Sequence, residues 1–380
     1  MNTINLSPSQ KNIIKELVIW YNNPSSYITL GGYAGTGKTT VISVFSKILK
    51  EKLKTKIAFC SFTGKATQVL EENLKKIFEL TSNDRVSTIH SLIYEPVLDD
   101  QKEIVGWSRK KKIDFDLIIV DEASMINKKI WQDLLSFKIP IIAVGDHGQL
   151  PPIGENFNLL EKPDLRLEEV HRQAQNNPII KLSMMLREQG KKYLLVKYSD
   201  KVKKISSNSI DFYDEMERAL SHNLNEKLIL CGYNNTRIKI NQEIRARLEK
   251  YGPPQPGDRV ICLKNNHKKN IANGMLGKII KINDDSEDLF QAQIQMDNGI
   301  LFEGLVSKRS FNSTENIIVK QRDVDYFDFG YALTTHKAQG SQAKSVVVFE
   351  ERFKNMDDET WFRWLYTAIT RAEEELLIIC

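Results

Sequence analysis

Ile28-Thr29-Leu30-Gly31-Gly32-Tyr33-Ala34-Gly35-Thr36-Gly37-Lys38-Thr39-Thr40 is the stretch on which the fold turns. Ile28–Leu30 is an apolar run of strand length, Gly32 to Thr39 has the spacing GxxxxGK[ST], and a helical pattern runs from Lys38 to Lys54. Strand, glycine loop and helix in that order give the spacing its meaning. Gly32, Gly35 and Gly37 let backbone N–H groups approach phosphate oxygens, and the helix start adds a favourable dipole. Thr36 and Thr40 complete the loop, Lys38 reaches toward β and γ phosphates, and Thr39 is a candidate Mg²⁺ ligand. An ordinary glycine turn before a helix is the alternative, and the surrounding strand and helix speak against it.

Outward from this loop, further apolar runs recur at Ile57–Phe62, Leu117–Val120, Ile139–Val144, Leu228–Cys231, Val346–Phe349 and Leu376–Ile379. Short runs without polar alternation read as strands buried on both faces, the mark of parallel sheets. Helical patterns at Ala66–Phe78 and Lys128–Phe137 fall between them, so the class is α/β. Residues 93–112 break the rhythm with two short apolar pieces around a polar turn, an inserted hairpin. After Pro253, Pro254 and Pro256 come alternating segments, two of them joined by Asp297-Asn298-Gly299, which predict a small antiparallel barrel over 256–325.

The 380 residues carry 54 Lys+Arg against 49 Asp+Glu, a net +5 that permits a polyanion partner without arguing for one. No apolar run reaches membrane-span length, and MNTINLSPSQKN lacks the basic and apolar regions of a signal peptide. Cys60, Cys231, Cys262 and Cys380 are scattered without metal-ligand spacing, which fits a reducing cytosol, bacterial or that of a phage-infected host.

Leu117–Val120 delivers Asp121 and Glu122 at its end. Asp121 suits Mg²⁺, and Glu122 suits orienting and deprotonating a water. The third run ends in Gly145-Asp146-His147-Gly148-Gln149-Leu150-Pro151-Pro152, where Gln149 could sense a γ-phosphate. To this point the reading is nucleotide hydrolysis, and nucleotide kinases, GTPases and motors all remain open.

GGYAGTGKTT, IIVDEAS, AVGDHGQLPPI, LEEVHRQ, TTHKAQGSQ and YTAITRA occur in this order, with SFTGKA and TIHSL between the first two. The set resembles motifs I to VI of superfamily 1 helicases, and the GDxxQLPP form resembles the 1B branch, RecD-like and phage Dda-type. The resemblance implies two RecA-like P-loop domains, parallel sheets flanked by helices. These would be 1A (1–92 and 113–170) and 2A (171–255 and 326–380), with a hairpin insertion 1B (93–112) and an SH3-like β-barrel insertion 2B (256–325). It implies ATP and Mg²⁺ in a cleft between the sheets. Lys38, Glu122, Gln149 and two arginine fingers, Arg172 and Arg371, would act on the phosphates, and Gln10 would read adenine. The implied activity is translocation on single-stranded DNA, 5′ to 3′, with strand separation at single-/double-strand junctions, by a monomer. A single-strand-binding protein or replication and recombination proteins are the implied partners.

The same resemblance assigns a DNA track: Ser61, Thr63, Gly64, Lys65, Thr88, His90 and Ser91 in the first domain, and Asn234, Thr236, Arg237, Asn241, Thr334, Thr335, His336 and Lys337 in the second. Hydroxyls, amides and N–H groups at strand ends suit phosphate gripping without sequence reading, and they equally suit helix caps. Trp107 or Tyr94 could meet the last base pair, with Arg109 to Lys112 on phosphates; a solvated charged turn is the other reading. Lys264, Lys268, Lys269, Lys278 and Lys281 could form a DNA-facing side of the barrel or merely a soluble one. Gln342 stands where many relatives carry Glu. A translocase that mainly displaces bound proteins and an RNA helicase remain the alternatives.

Overall fold

The structure, a computed structural model, describes residues 5–98, 104–152, 157–169, 177–189, 199–314, 323–354 and 356–380, with only the backbone at 104, 105, 187–189 and 267. The chain forms two compact units, Met1–Ile180 and Lys181–Cys380.

In the first unit β1 (Tyr27–Gly32), β2 (Ile57–Ser61), β3 (Arg85–Thr88), β6 (Leu117–Asp121), β7 (Ile141–Gly145) and β8 (Leu165–Leu167) form one sheet in the order β3-β2-β6-β7-β1-β8. All five pairings are parallel. The apolar runs are explained by their two-sided burial. Leu117 and Ile119 join one core with Ile142, Val144 and Leu30, while Ile118 and Val120 join the opposite core with Ile141 and Ala143. Side chains alternate across a strand, so a strand covered on both faces has no position left for a polar residue.

The covering helices are α1 (Pro8–Asn22), α2 (Lys38–Leu53), α3 (Gly64–Lys75), α4 (Ile89–Ile93) and α5 (Lys128–Leu135). α1 opens on a capping box between Ser7 and Gln10, with Pro8 at the first helical position. α3, α4 and α5 open on Thr63, Thr88 and Asn127, whose side chains accept N–H groups of the first turn. Between α4 and β6 the chain projects an antiparallel hairpin of β4 (Tyr94–Leu98) and β5 (Ile104–Arg109), pairing Pro96 with Trp107.

The helix α6 (Pro178–Gln189) spans the boundary between the units. The second unit holds a parallel sheet in the order β17-β10-β18-β19-β9. Its strands are β9 (Val202–Ile205), β10 (Lys227–Cys231), β17 (Ala332–Thr334), β18 (Ala343–Phe349) and β19 (Ala372–Ile379). Helices α7 (Phe212–Ser221), α8 (Asn234–Arg247) and α9 (Asp358–Ile369) complete it.

Between α8 and β17 lies an antiparallel sheet of β11 (Arg259–Cys262), β12 (Leu276–Asp284), β13 (Leu289–Met296), β14 (Leu301–Ser307), β15 (Val324–Asp325) and β16 (Phe327–Phe329). β15 runs parallel to its neighbour β14. Gly299, at φ 87°, makes the β13–β14 turn. The sheet reaches further than the boundary expected at 325. β16 pairs with β11 and buries Phe327 and Phe329, so the return to the parallel sheet starts at Gly330.

Candidate functional site

β1, β7 and β6 are neighbours and parallel, so the loops that follow them leave the same sheet edge. That edge gathers the phosphate loop, the two carboxylates and the Gly145–Gln149 loop. Strand ends at such an edge are where α/β sheets bind ligands.

In the phosphate loop Gly35 and Gly37 sit at φ 78° and 80°, conformations that a side chain would strain. A Cβ on Gly32 would lie 2.8 Å from Thr36 Oγ1, so the cradle closes only around glycine. Thr36 Oγ1 donates to Tyr33 O at 2.8 Å. The Lys38 ammonium folds back into the loop, donating to Gly32 O at 2.7 Å and Tyr33 O at 3.0 Å. α2 begins on Gly37 with no side-chain cap and no acidic residue in its first turn. Its orphan N–H groups are therefore left for an anion.

Gln10 sits directly beneath the phosphate loop. It is buried, its Nε2 donates to Thr36 O at 3.1 Å, and its Oε1 accepts the Ser7 N–H at 3.0 Å. One amide N–H and one carbonyl lone pair are thus engaged by the protein, which makes Gln10 a strut beneath the phosphate loop and leaves a second donor and a second acceptor on the amide.

Asp121 ends β6, and its carboxylate accepts the Glu122 N–H at 3.0 Å. Burial, then the Glu122 charge, pushes the Asp121 carboxyl up to about 6; the Glu122 N–H and the Lys38 charge act in the opposite sense. Glu122 sits at φ 52°, a left-handed conformation that turns the chain sharply at the strand end. Gln149 is buried beside Asp146, to which its Nε2 donates at 3.4 Å, and Asp146 also accepts the Gly148 N–H at 2.9 Å. The His147 ring packs on Tyr33 with centroids 4.1 Å apart, which ties this loop to the phosphate loop. Three observations fit a nucleotide with Mg²⁺: the uncapped helix start, the cradle that a Cβ would fill, and a crowded carboxylate that a cation would relieve. Thr39 and Asp121 are the residues that would hold the metal.

Of the two expected arginine fingers, Arg172 lies outside the described residues. Arg371 is buried within its own unit, donating to Thr367 O at 3.0 Å, Ser341 O at 3.3 Å and Thr370 Oγ1 at 3.3 Å. Its bonds are to neutral acceptors, so no ion pair among them opposes an exchange for phosphate.

Along the expected DNA track of the first unit, Thr63 and Thr88 spend their lone pairs as helix caps and keep a hydroxyl hydrogen to donate. Gly64 starts α3, and Lys65 is exposed on its first turn. Ser61 is fully buried at the end of β2. Ser91 Oγ accepts from Arg85 at 2.9 Å, and the His90 ring packs between Phe62 and Tyr94. On the hairpin, Trp107 is 46% exposed. Lys110 turns inward to donate to Ser91 O and Leu92 O, and burial holds its ammonium below the usual lysine range. Two of its three protons are taken by those carbonyls. Arg109 lies over the Phe137 ring at 5.3 Å.

Two residues of the second unit's track are corrected outright. Arg237 is buried against Asp328 at 2.5 Å and donates to Ser313 O at 3.0 Å. Asn241 is fully buried, donating to Phe329 O and Ala332 O and accepting the Ala332 N–H at 2.8 Å. With Arg245, which pairs with buried Asp258, they form a polar stripe at i, i+4, i+8 on α8. That stripe clamps the chain where it returns from the antiparallel sheet to β17. Moving Arg237 to DNA would leave the buried Asp328 carboxylate without its counter-charge, only the Asn312 and Phe329 N–H groups still donating to it, at a cost of about 3–5 kcal/mol.

Thr334 and Thr335 are buried beside β10, where the Thr335 N–H donates to Cys231 O at 3.0 Å. Burial holds the His336 imidazole below its ordinary range. Lys337 has a largely exposed side chain, yet its ammonium is lowered by nearby protein bulk and then by Arg237, against Asp328. Asn234 starts α8, and the Thr236 hydroxyl is taken by the Glu351 carboxylate. Gln342 is exposed. In the antiparallel sheet and its loops Lys269 pairs with Asp325 and Lys264 lies over Tyr326, while Lys268, Lys278 and Lys281 are exposed. Sequence reading passed over Asp258 and Glu351, single carboxylates with no motif around them.

A family model described as an AAA domain matches residues 5–207, and one described as a UvrD-like helicase C-terminal domain matches residues 329–379. An ATP-dependent RecD2 DNA helicase of Deinococcus radiodurans is 28% identical over 378 residues, covering 91% of this chain and 46% of that protein. The ATP-dependent DNA helicase dda of Enterobacteria phage T4 is 28% identical over 267 residues, covering 64% of this chain and 57% of that one. The chain thus spans about half the length of these two curated relatives. A solved Pif1 helicase from Bacteroides, in complex with ADP-AlF3 and ssDNA, aligns over 99% of this chain and 92% of its own at TM-score 0.56 and 18% identity. That likeness shows a Pif1-like helicase fold.

Proposed function

The chain belongs to the AAA-domain family, with the superfamily 1B arrangement of RecD-like and Dda-type helicases, and from that premise we propose an ATP-dependent DNA helicase. It translocates on single-stranded DNA, 5′ to 3′, and separates strands at single-/double-strand junctions. The observation that carries this reading is the single sheet edge that gathers an uncapped phosphate loop, Asp121, Glu122 and Gln149.

On ATP binding, Lys38 exchanges Gly32 O and Tyr33 O for β and γ phosphate oxygens. Thr39 and Asp121 would hold Mg²⁺, which would supply charge neutralisation to the phosphates. Glu122 orients the attacking water and takes its proton, and Gln149 reports whether the γ-phosphate is present. Arg371, released from its carbonyl partners, stabilises charge that develops in the transition state. Arg172 is the second candidate for that role. Thr63, Lys65, Thr88, Asn234 and the segment Thr334–Lys337 grip the strand, while Arg237 and Asn241 hold the scaffold behind them. The hairpin with Trp107 is the wedge, and the antiparallel sheet is the SH3-like 2B element. We place the protein in the cytosol as a monomer that works beside a single-strand-binding protein or replication and recombination proteins. Among the described residues no helix is long and apolar enough to cross a membrane.

The test is ATP-dependent unwinding of 5′-tailed against 3′-tailed duplexes, with ATPase measured with and without single-stranded DNA. Unwinding of the 5′-tailed substrate alone supports the reading, and ATPase indifferent to DNA refutes it. Stimulation by RNA over DNA would mark an RNA helicase. Streptavidin displacement without strand separation at matched ATPase would mark a protein-displacing translocase.

A further inference from the structure

Tyr233 follows β10 by two residues and caps the start of α8, beside the Thr334–Thr335 segment that pairs with Cys231. No motif includes it, yet its backbone, hydroxyl and ring are all held by neighbours. Its N–H donates to Glu351 at 3.0 Å, beside the Gly232 N–H at 2.6 Å and the Thr236 hydroxyl on the same carboxylate. Its carbonyl accepts the Arg237 N–H at 3.0 Å. Its phenol donates to Arg352 O at 3.2 Å, and its ring meets Phe353 edge to face with centroids 4.4 Å apart. A ring held this firmly still leaves 37% of the residue exposed.

Glu351 fills the place where the start of α8 would otherwise receive an anion. A DNA phosphate there would have to displace a carboxylate held by three donors. What this corner offers a single strand is therefore an aromatic face, and the hydroxyl of Thr236 serves to hold Glu351. We infer that Tyr233 is a stacking platform for a base of single-stranded nucleic acid and that Glu351 is its positioning residue. Stacking on a pre-fixed ring costs little ordering entropy and is indifferent to sequence, which suits a strand that slides. The inference rests on the single-strand-binding part of the proposed function and adds a base contact to its backbone grip.

The test compares affinity for oligothymidylate with affinity for an abasic oligonucleotide of equal length, which keeps every phosphate and removes every base. Tyr233→Leu keeps an apolar side chain without the ring and should weaken oligothymidylate binding about five- to a hundred-fold, with abasic binding unchanged. Tyr233→Phe keeps the ring and should stay within about two-fold of the wild type on both. Glu351→Gln leaves the ring but loosens its mount, and should narrow the oligothymidylate-to-abasic ratio by a smaller factor. Equal weakening of Tyr233→Leu on both oligonucleotides, or none on either, overturns the platform. If Glu351→Gln leaves the ratio untouched, its positioning role is overturned. Failure of the wild-type chain to bind oligothymidylate would instead overturn the helicase reading underneath.

Discussion

Replacing Asp121 by Asn is expected to make the protein more stable and catalytically dead. The carboxyl is pushed from 3.8 up to about 6, burial being the largest cause and the Glu122 charge the next. A raised value in the folded state means that the folded chain binds this proton more tightly than the unfolded one. Below the ordinary carboxylate value both states are therefore protonated and nothing is lost. Between that value and about 6 the unfolded state ionises first, and stability falls as pH rises. Above it the loss is complete. The gap between the two values converts at about 1.4 kcal/mol per pH unit, or about 3 kcal/mol in all. The side chain keeps some access to water, which screens the effect, so about 1–3 kcal/mol is expected.

The assay is urea denaturation of wild type and Asp121→Asn, without nucleotide or Mg²⁺, at pH 8 and pH 4.5. The variant should be the more stable at pH 8, and the gap should narrow by more than half at pH 4.5. Lys38 holds the carboxyl down, so Lys38→Ala should widen the gap at pH 8. A variant no more stable than wild type at pH 8, or one equally favoured at both pH values, refutes the argument that this carboxylate stores unfavourable charge.

Three further outcomes are expected. Lys38→Ala should abolish ATPase while retaining most single-strand affinity, and DNA-stimulated ATPase in that variant would overturn the phosphate-site assignment. Asp258→Ala strands Arg245, which donates Nε to it at 3.2 Å, and the Tyr331 hydroxyl at 2.9 Å. It should cost about 3–5 kcal/mol by urea denaturation, against less than about 1 kcal/mol for Asp297→Ala at the half-exposed end of the Arg259 pair. Equal costs would show that burial of the hub is not what matters. Replacing residues 97–107 by a short glycine turn should spare DNA-stimulated ATPase and impair unwinding, and unwinding at the wild-type rate would remove the wedge role.

The elements that sequence made legible are those whose signal is local. Leu117–Val120 could only be a strand covered on both faces, because four successive apolar residues leave no solvent side. The phosphate loop could be read because glycine at Gly35 and Gly37 answers a backbone demand that travels with the residues themselves. α8 was the opposite case. Arg237, Asn241 and Arg245 at helical spacing look the same whether they face a nucleic acid or a buried carboxylate. Only Asp328 and Asp258, brought from far along the chain, decide that they face inward. Gln10 likewise carries a donor and an acceptor wherever it stands, and the carbonyl of Thr36 determines what they touch.

By itself, then, the sequence determined the α/β class, the phosphate loop and the order of the motifs, since spacing and apolar runs act on neighbouring residues. Tertiary structure alone decided which polar groups remain available to a ligand. That depends on where distant carboxylates and carbonyls come to rest, and a buried polar group binds whatever partner folding brings to it.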